Sequence, residues 1–106
     1  MKNIKILHDL SDLTDGTHKV GGLVGVKYDD LLELLGEPTY SPEHSGDGKV
    51  QFEWVLFYDN QVFTIYDWKT YSEEYTKNEL DVWSVGGNSD PRWLIDELYA
   101  SLTRND

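Results

Sequence analysis

The stretch KVQFEWVLFYDNQVFTIYDWK, Lys49–Lys69, constrains the fold more than any other part of the chain. Side chains alternate between the two faces of a strand, so Val50, Phe52, Trp54, Leu56 and Tyr58 share one face. Gln51, Glu53, Val55 and Phe57 share the other. Asp59-Asn60 supplies the tight turn. On the returning strand Phe63 and Ile65 lie on one face, with Val62, Thr64, Tyr66 and Trp68 on the other. A β-hairpin with large apolar residues on one face needs a cover, and the rest of the sequence supplies it.

Two segments carry helical punctuation. In YDDLLELLGEP, Leu31, Leu34 and Leu35 form an i, i+3, i+4 stripe. Asp29 stands at the expected cap, acids occupy the first turn, and Gly36 and Pro38 stop the helix. Near the C-terminus, Ser89 or Asp90 caps a helix with Pro91 near its first position. Leu94, Ile95, Leu98, Tyr99 and Leu102 recur at helical spacing there. Ile4 and Ile6 alternate with lysines as in a short strand, and a further strand is expected around Leu23–Lys27. LDVWSVGG reads as the strand after the hairpin, and TYSEEYTKNE as a polar loop between them. The expected fold is α+β: one antiparallel sheet of three to five strands with two helices packed on one face, in a single domain.

Composition enters through charge. The chain of 106 residues holds 20 acids and 9 bases, a net charge of −11. A basic patch for nucleic-acid phosphates is missing from the sequence, and an anionic membrane surface is disfavoured for the same reason. No stretch approaches the ~20 apolar residues of a membrane span, and no signal-peptide pattern opens the chain, so a cytoplasmic location is expected. The absence of cysteine excludes disulfides and thiolate chemistry.

Catalytic and ligand motifs are weak. His8, His18 and His44 have no helical or hairpin ligand spacing, and Asp9, Asp12 and Asp15 fail the calcium-loop pattern. No serine sits in a nucleophile elbow. Asp67, inside a strand between Tyr66 and Trp68, is where an acid is disfavoured. It can face solvent, pair with Lys69, or accept from a buried backbone donor; acid–base work would need a second group that the sequence does not name. VGGNSDP could place a phosphate at a helix start, but it lacks the dinucleotide fingerprint and Asp90 would fill the position itself. No enzyme activity, cofactor or metal is expected.

The segments YDDLLELLGEPTY, GKVQFEWVLFYD, TIYDWK and VWSVGG, in this order, resemble small bacteriophage and prophage proteins across residues 22–102. The resemblance implies an α+β fold and a viral or prophage origin, hence the host cytoplasm. It implies no catalytic residue, and it favours inhibition of host nucleases or defence systems.

The acids themselves pose the question of DNA mimicry. A domain of this length has a diameter of roughly 33 Å, over which duplex DNA carries about 20 negative charges. A net −11 falls short unless the acids cluster. The expected partner surface combines acids with aromatic anchors: Asp29, Asp30, Glu33, Glu37, Glu53, Trp54, Tyr66, Asp67, Trp68, Glu73, Glu74 and Trp83. The expected function is binding to a host protein with a basic surface, an enzyme that handles nucleic acid or acts in defence. Two alternatives stand beside it: a structural or adaptor module pairing as a homodimer, and capture of a small nucleotide signal at VGGNSD.

Overall fold

A computed structural model describes residues 4–7, 18–41, 51–68 and 72–104. Sequence readings on His8, Asp9, Asp12, Asp15, Glu43, His44 and Asp47 fall outside them. In chain order the elements are β1 (Ile4–Leu7), β2 (His18–Val24), α1 (Tyr28–Leu35), β3 (Glu53–Tyr58), β4 (Gln61–Tyr66), α2 (Glu73–Asn78), β5 (Val82–Gly87) and α3 (Arg92–Arg104). The five strands form one antiparallel sheet in the order β1-β3-β4-β5-β2. The α+β expectation therefore holds, with β3, β4 and β5 as the central meander.

The hairpin has the expected register, Trp54 opposite Ile65 and Leu56 opposite Phe63. Its turn places Asp59 and Asn60 at positive φ, 52° and 61°, a conformation that Asp and Asn tolerate better than other side chains. The face bearing Trp54, Leu56, Phe63, Ile65, Trp83, Val85 and Leu23 packs against Leu31 and Leu35 of α1 and Leu94 and Leu98 of α3, forming one core.

Three local expectations need correction. The strand expected around Leu23–Lys27 lies earlier, at His18–Val24, because Gly25 turns the chain out of the sheet at φ 78°. Asp29 does not cap α1; Lys27 holds the cap position, and its N–H donates to the Asp30 carboxylate at 3.0 Å. The polar segment before β5 contains a short helix, α2, whose Tyr75 N–H donates to Ser72 Oγ at 3.1 Å. At α3 the expectation stands: the Arg92 N–H donates to Asp90 at 3.0 Å, with Pro91 between them.

The double glycine that ends β5 has a packing cause. A Cβ on Gly87 would lie 2.8 Å from the ring of buried Phe63, and one on Gly86 would lie 2.5 Å from Thr64 Oγ1. The glycines let β4 and β5 place these side chains directly over the neighbouring backbone. Gly87→Ala is expected to cost about 2 kcal/mol by overpacking, a fall in melting temperature of roughly 10 °C. A thermal melt unchanged by the substitution would contradict this packing.

Candidate acidic interface

The predicted contact residues separate into three groups. The first lies on α1, α2 and their ends. Asp29, Asp30 and Glu33 are on α1, Glu37 follows it, and Glu73 and Glu74 begin α2. The two helices pack together. The Tyr28 phenol between them records their convergence: burial first, then the negative charges of Glu37, Asp29 and Glu73, raise its pKa. Lys27–Glu37 and Glu73–Asp81 together hold eight acids and two lysines. Both lysines are engaged. Lys77 pairs with Glu73 at 3.5 Å and lies 5.6 Å from the Phe52 ring centroid, and the Lys27 ammonium donates to the Glu79 carbonyl at 3.2 Å. Glu37, Glu73, Glu74, Glu79 and Asp81 are exposed, as are Asp29 and Glu33.

One exposed ring adjoins these acids, and a second lies just past the end of β4. Tyr75 of α2 is 48% exposed and Trp68 is 50% exposed. Tyr75 lines a shallow depression of about 260 Å³ with Ser72, Glu74, Asn78 and Glu79. Trp68 packs edge-on against Tyr66, their centroids 6.3 Å apart. The residue before it, Asp67, fixes β4 to α2. This acidic, ring-bearing end of the molecule lies at the α2 end of the hairpin.

The second group is the cross-strand pair Glu53 and Tyr66 on the sheet face away from α1 and α3. Burial, then the Glu53 charge, raises the Tyr66 phenol pKa, while a hydrogen bond with Ser84 opposes the shift. The centre of this face is buried at Val55, Thr64 and Ser84, and its rim shows Phe57, Val24 and Val82. Lys5 stands opposite Phe57, and Lys19 opposite Gly86. The lysines of the sheet thus lie apart from the acids of the helices.

The third group leaves the interface. Trp54 and Trp83 are 0% and 1% exposed, so neither can anchor a partner. Their strand register points both into the layer between sheet and helices, where leucines of α1 and α3 leave space that two indoles fill. They meet edge-to-face at 5.7 Å, and each buried indole N–H has an acceptor: Gly36 O at 2.9 Å for Trp54 and Val26 O at 2.8 Å for Trp83. Asp67 is 0% exposed and belongs to the interior as well. Its carboxylate accepts from the Gln51 and Phe52 N–H groups at 2.8 and 2.9 Å and from Thr76 Oγ1 at 2.5 Å. Acceptance from buried backbone donors, one of the readings open in the sequence, is realised.

Two exposed rings, Tyr75 and Trp93, were missed in the sequence. Trp93 lay off the apolar stripe of α3, a visible signal that it faces outward. At VGGNSD, Gly86 and Gly87 pair with Thr64 and Phe63 in the sheet, and the Asp90 carboxylate occupies the start of α3. Asp90 thus already accepts from the Arg92 N–H at that helix start. Among the described residues no group of three or more His, Asp and Glu is arranged to hold a metal ion, and no helix is long and apolar enough to cross a membrane. Comparison with family models, curated proteins and solved structures finds no match.

Proposed function

We propose that this chain is a binding protein that occupies a basic surface on another protein, an enzyme that handles nucleic acid, and blocks it. One observation carries the reading: acids of the packed helices α1 and α2 converge around Tyr28, and the half-exposed Tyr75 ring lies among Glu74 and Glu79 on α2. Such a pole attracts a positively charged groove over several ångströms, which raises the rate of encounter. Tyr75 and Trp68 then supply apolar area that can be desolvated on docking, where binding energy concentrates. The local ratio of eight acids to two lysines is denser in charge than the chain as a whole. It supports partial imitation of a nucleic-acid backbone rather than of a full duplex.

The homodimer reading has less support. Pairing through the sheet face away from α1 and α3 would bring Lys5 and Lys19 of each copy into the interface, with Glu53 the only acid among the described strand residues of that face.

The test is inhibition of DNA cleavage by a panel of purified bacterial nucleases. The expected result is inhibition of at least one nuclease that weakens as salt rises from 50 to 300 mM, because screening shortens the reach of exposed charges. The triple reversal Glu33→Lys, Glu73→Lys, Glu74→Lys should raise the inhibitory concentration about tenfold or more, with its circular dichroism unchanged. Equal inhibition by the reversed protein would refute the assignment of this pole.

A further inference from the structure

The opposite end of the hairpin carries a second ring-and-acid surface, built from different residues. Asn60 lies seven residues from Asp67 along β4, which places the turn about 23 Å from the α2 end. Trp93 on α3 is 76% exposed, the highest value of any large apolar residue among those described. Asp96 and Glu97 follow it at i+3 and i+4, so all three share one stripe of the helix. The hairpin end meets that stripe: the Tyr58 hydroxyl reaches the Trp93 carbonyl at 3.5 Å. Burial first, then the charges of Glu97, Asp59 and Asp96, push the Tyr58 phenol pKa up. Beside it an open depression of about 380 Å³ is lined by Phe57, Tyr58, Asp59 and Asn60. The nearest cation of α3, Arg92, is held by Asp90 through its Nε and a guanidinium nitrogen, both at 2.8 Å. Lys5 lies opposite Phe57, whose side chain is on the other face of the sheet from Tyr58.

We propose that this corner is a second docking surface, taking an arginine-bearing basic segment of a partner protein, with the guanidinium stacked on Trp93 and paired with the carboxylates of Asp59, Asp96 and Glu97. An exposed indole on one helix stripe with Asp96 and Glu97, met by the hairpin turn that carries Asp59, matches the two properties of arginine, a planar cation that stacks on rings and a fork of donors that pairs with carboxylates. Lysine shares the charge but neither the plane nor the fork, so the corner discriminates between them. The surface rests on its own observations and stands or falls apart from the α1–α2 pole. With both in use, the protein would contact a basic partner at two ends of one rigid hairpin.

The probe is a hexa-arginine peptide titrated into the whole protein, followed by the indole Nε1–H and backbone amide resonances, with hexa-lysine in parallel. The expected result is a joint shift of the Trp93 indole and of Asp59, Asp96 and Glu97. Hexa-lysine should bind about threefold or more weakly, and Trp93→Ala or the pair Asp96→Lys, Glu97→Lys should weaken hexa-arginine about fivefold or more. The α1–α2 triple reversal should leave the Trp93 response in place, which separates failure of one surface from failure of the other. Shifts spread over every acid with the Trp93 indole unmoved, equal binding of the two peptides, or unchanged affinity in Trp93→Ala would each overturn the proposal.

Discussion

Trp83→Ala and Trp54→Ala are each expected to remove about 3–5 kcal/mol of stability, whereas Trp68→Ala should cost only about 1–2 kcal/mol. The contrast follows from position alone. Trp83 and Trp54 are sealed between sheet and helices, and truncation leaves a cavity there together with a lone carbonyl, Val26 O or Gly36 O, that has lost its indole donor. Trp68 is half in water, so its truncation gives up only the buried half of the indole and its edge-on contact with Tyr66, and leaves no sealed cavity. Small domains have total stabilities of about 5–15 kcal/mol, so either core substitution takes a large share and can leave the chain largely unfolded at 37 °C. Because the two indoles touch edge-to-face, their losses should not add; a double-mutant cycle should show a coupling of about 0.5–1.5 kcal/mol. Chemical denaturation of the three single variants checks the ranking. A stable, folded Trp83→Ala would mean that the indole is not part of the core.

The second large effect belongs to Asp67. Asp67→Ala should cost about 3–5 kcal/mol, and Asp67→Asn only about 1 kcal/mol. In the alanine variant the Gln51 and Phe52 N–H groups and the Thr76 hydroxyl lose their acceptor together, at a position closed to solvent. Asparagine can keep most of this pattern. Its carbonyl oxygen takes the place of Oδ1, which receives both backbone N–H groups. Its amide then donates to Thr76 Oγ1, and the Thr76 hydroxyl turns to the Ser72 carbonyl, already 3.1 Å away. The prediction is therefore a ranking, wild type above Asn and Asn well above Ala, read from thermal or urea melts. Equal losses for Asn and Ala would show that the negative charge, and not the hydrogen-bond pattern, holds β4 to α2. Because Asp67 joins the segment before β3 to α2, the alanine variant should also loosen the acidic pole, weakening any partner contact made there.

Much of the fold could be read from alternation and punctuation. The hairpin register, its Asp59-Asn60 turn, the Gly36 stop of α1 and the Asp90-Pro91 start of α3 all depend on local chemistry and stand where the sequence places them. The hairpin strands are shorter than alternation suggests: β4 ends at Tyr66, so Asp67 and Trp68 lie beyond the strand expected to hold them. α2 was hidden because Glu73–Asn78 has no apolar stripe; it is anchored by one threonine, Thr76, through a carboxylate nine residues earlier. The site was legible in part. Of the expected acids, Asp29, Glu37 and Glu73 come together around Tyr28, and that depends on α1 packing against α2, a long-range contact with no local signal. The tryptophans were misassigned for the same reason. Alternation tells which side chains share a face, not which face the helices cover, so Trp54 and Trp83 read equally well as anchors or as core. Helical spacing did hold the information for Trp93, since Leu94, Leu98 and Leu102 define a stripe that excludes it.

Acids beside uncovered rings at two ends of the hairpin, with two tryptophans sealed between them, can be tested without any partner. The measurement is the line broadening of the four indole Nε1–H resonances by a cationic paramagnetic agent, compared with a neutral agent of similar size. The account predicts that the Trp68 and Trp93 signals broaden, more with the cation than with the neutral agent, while those of Trp54 and Trp83 stay sharp with both. Equal broadening of all four signals, or no preference for the cation at Trp68 and Trp93, would contradict it.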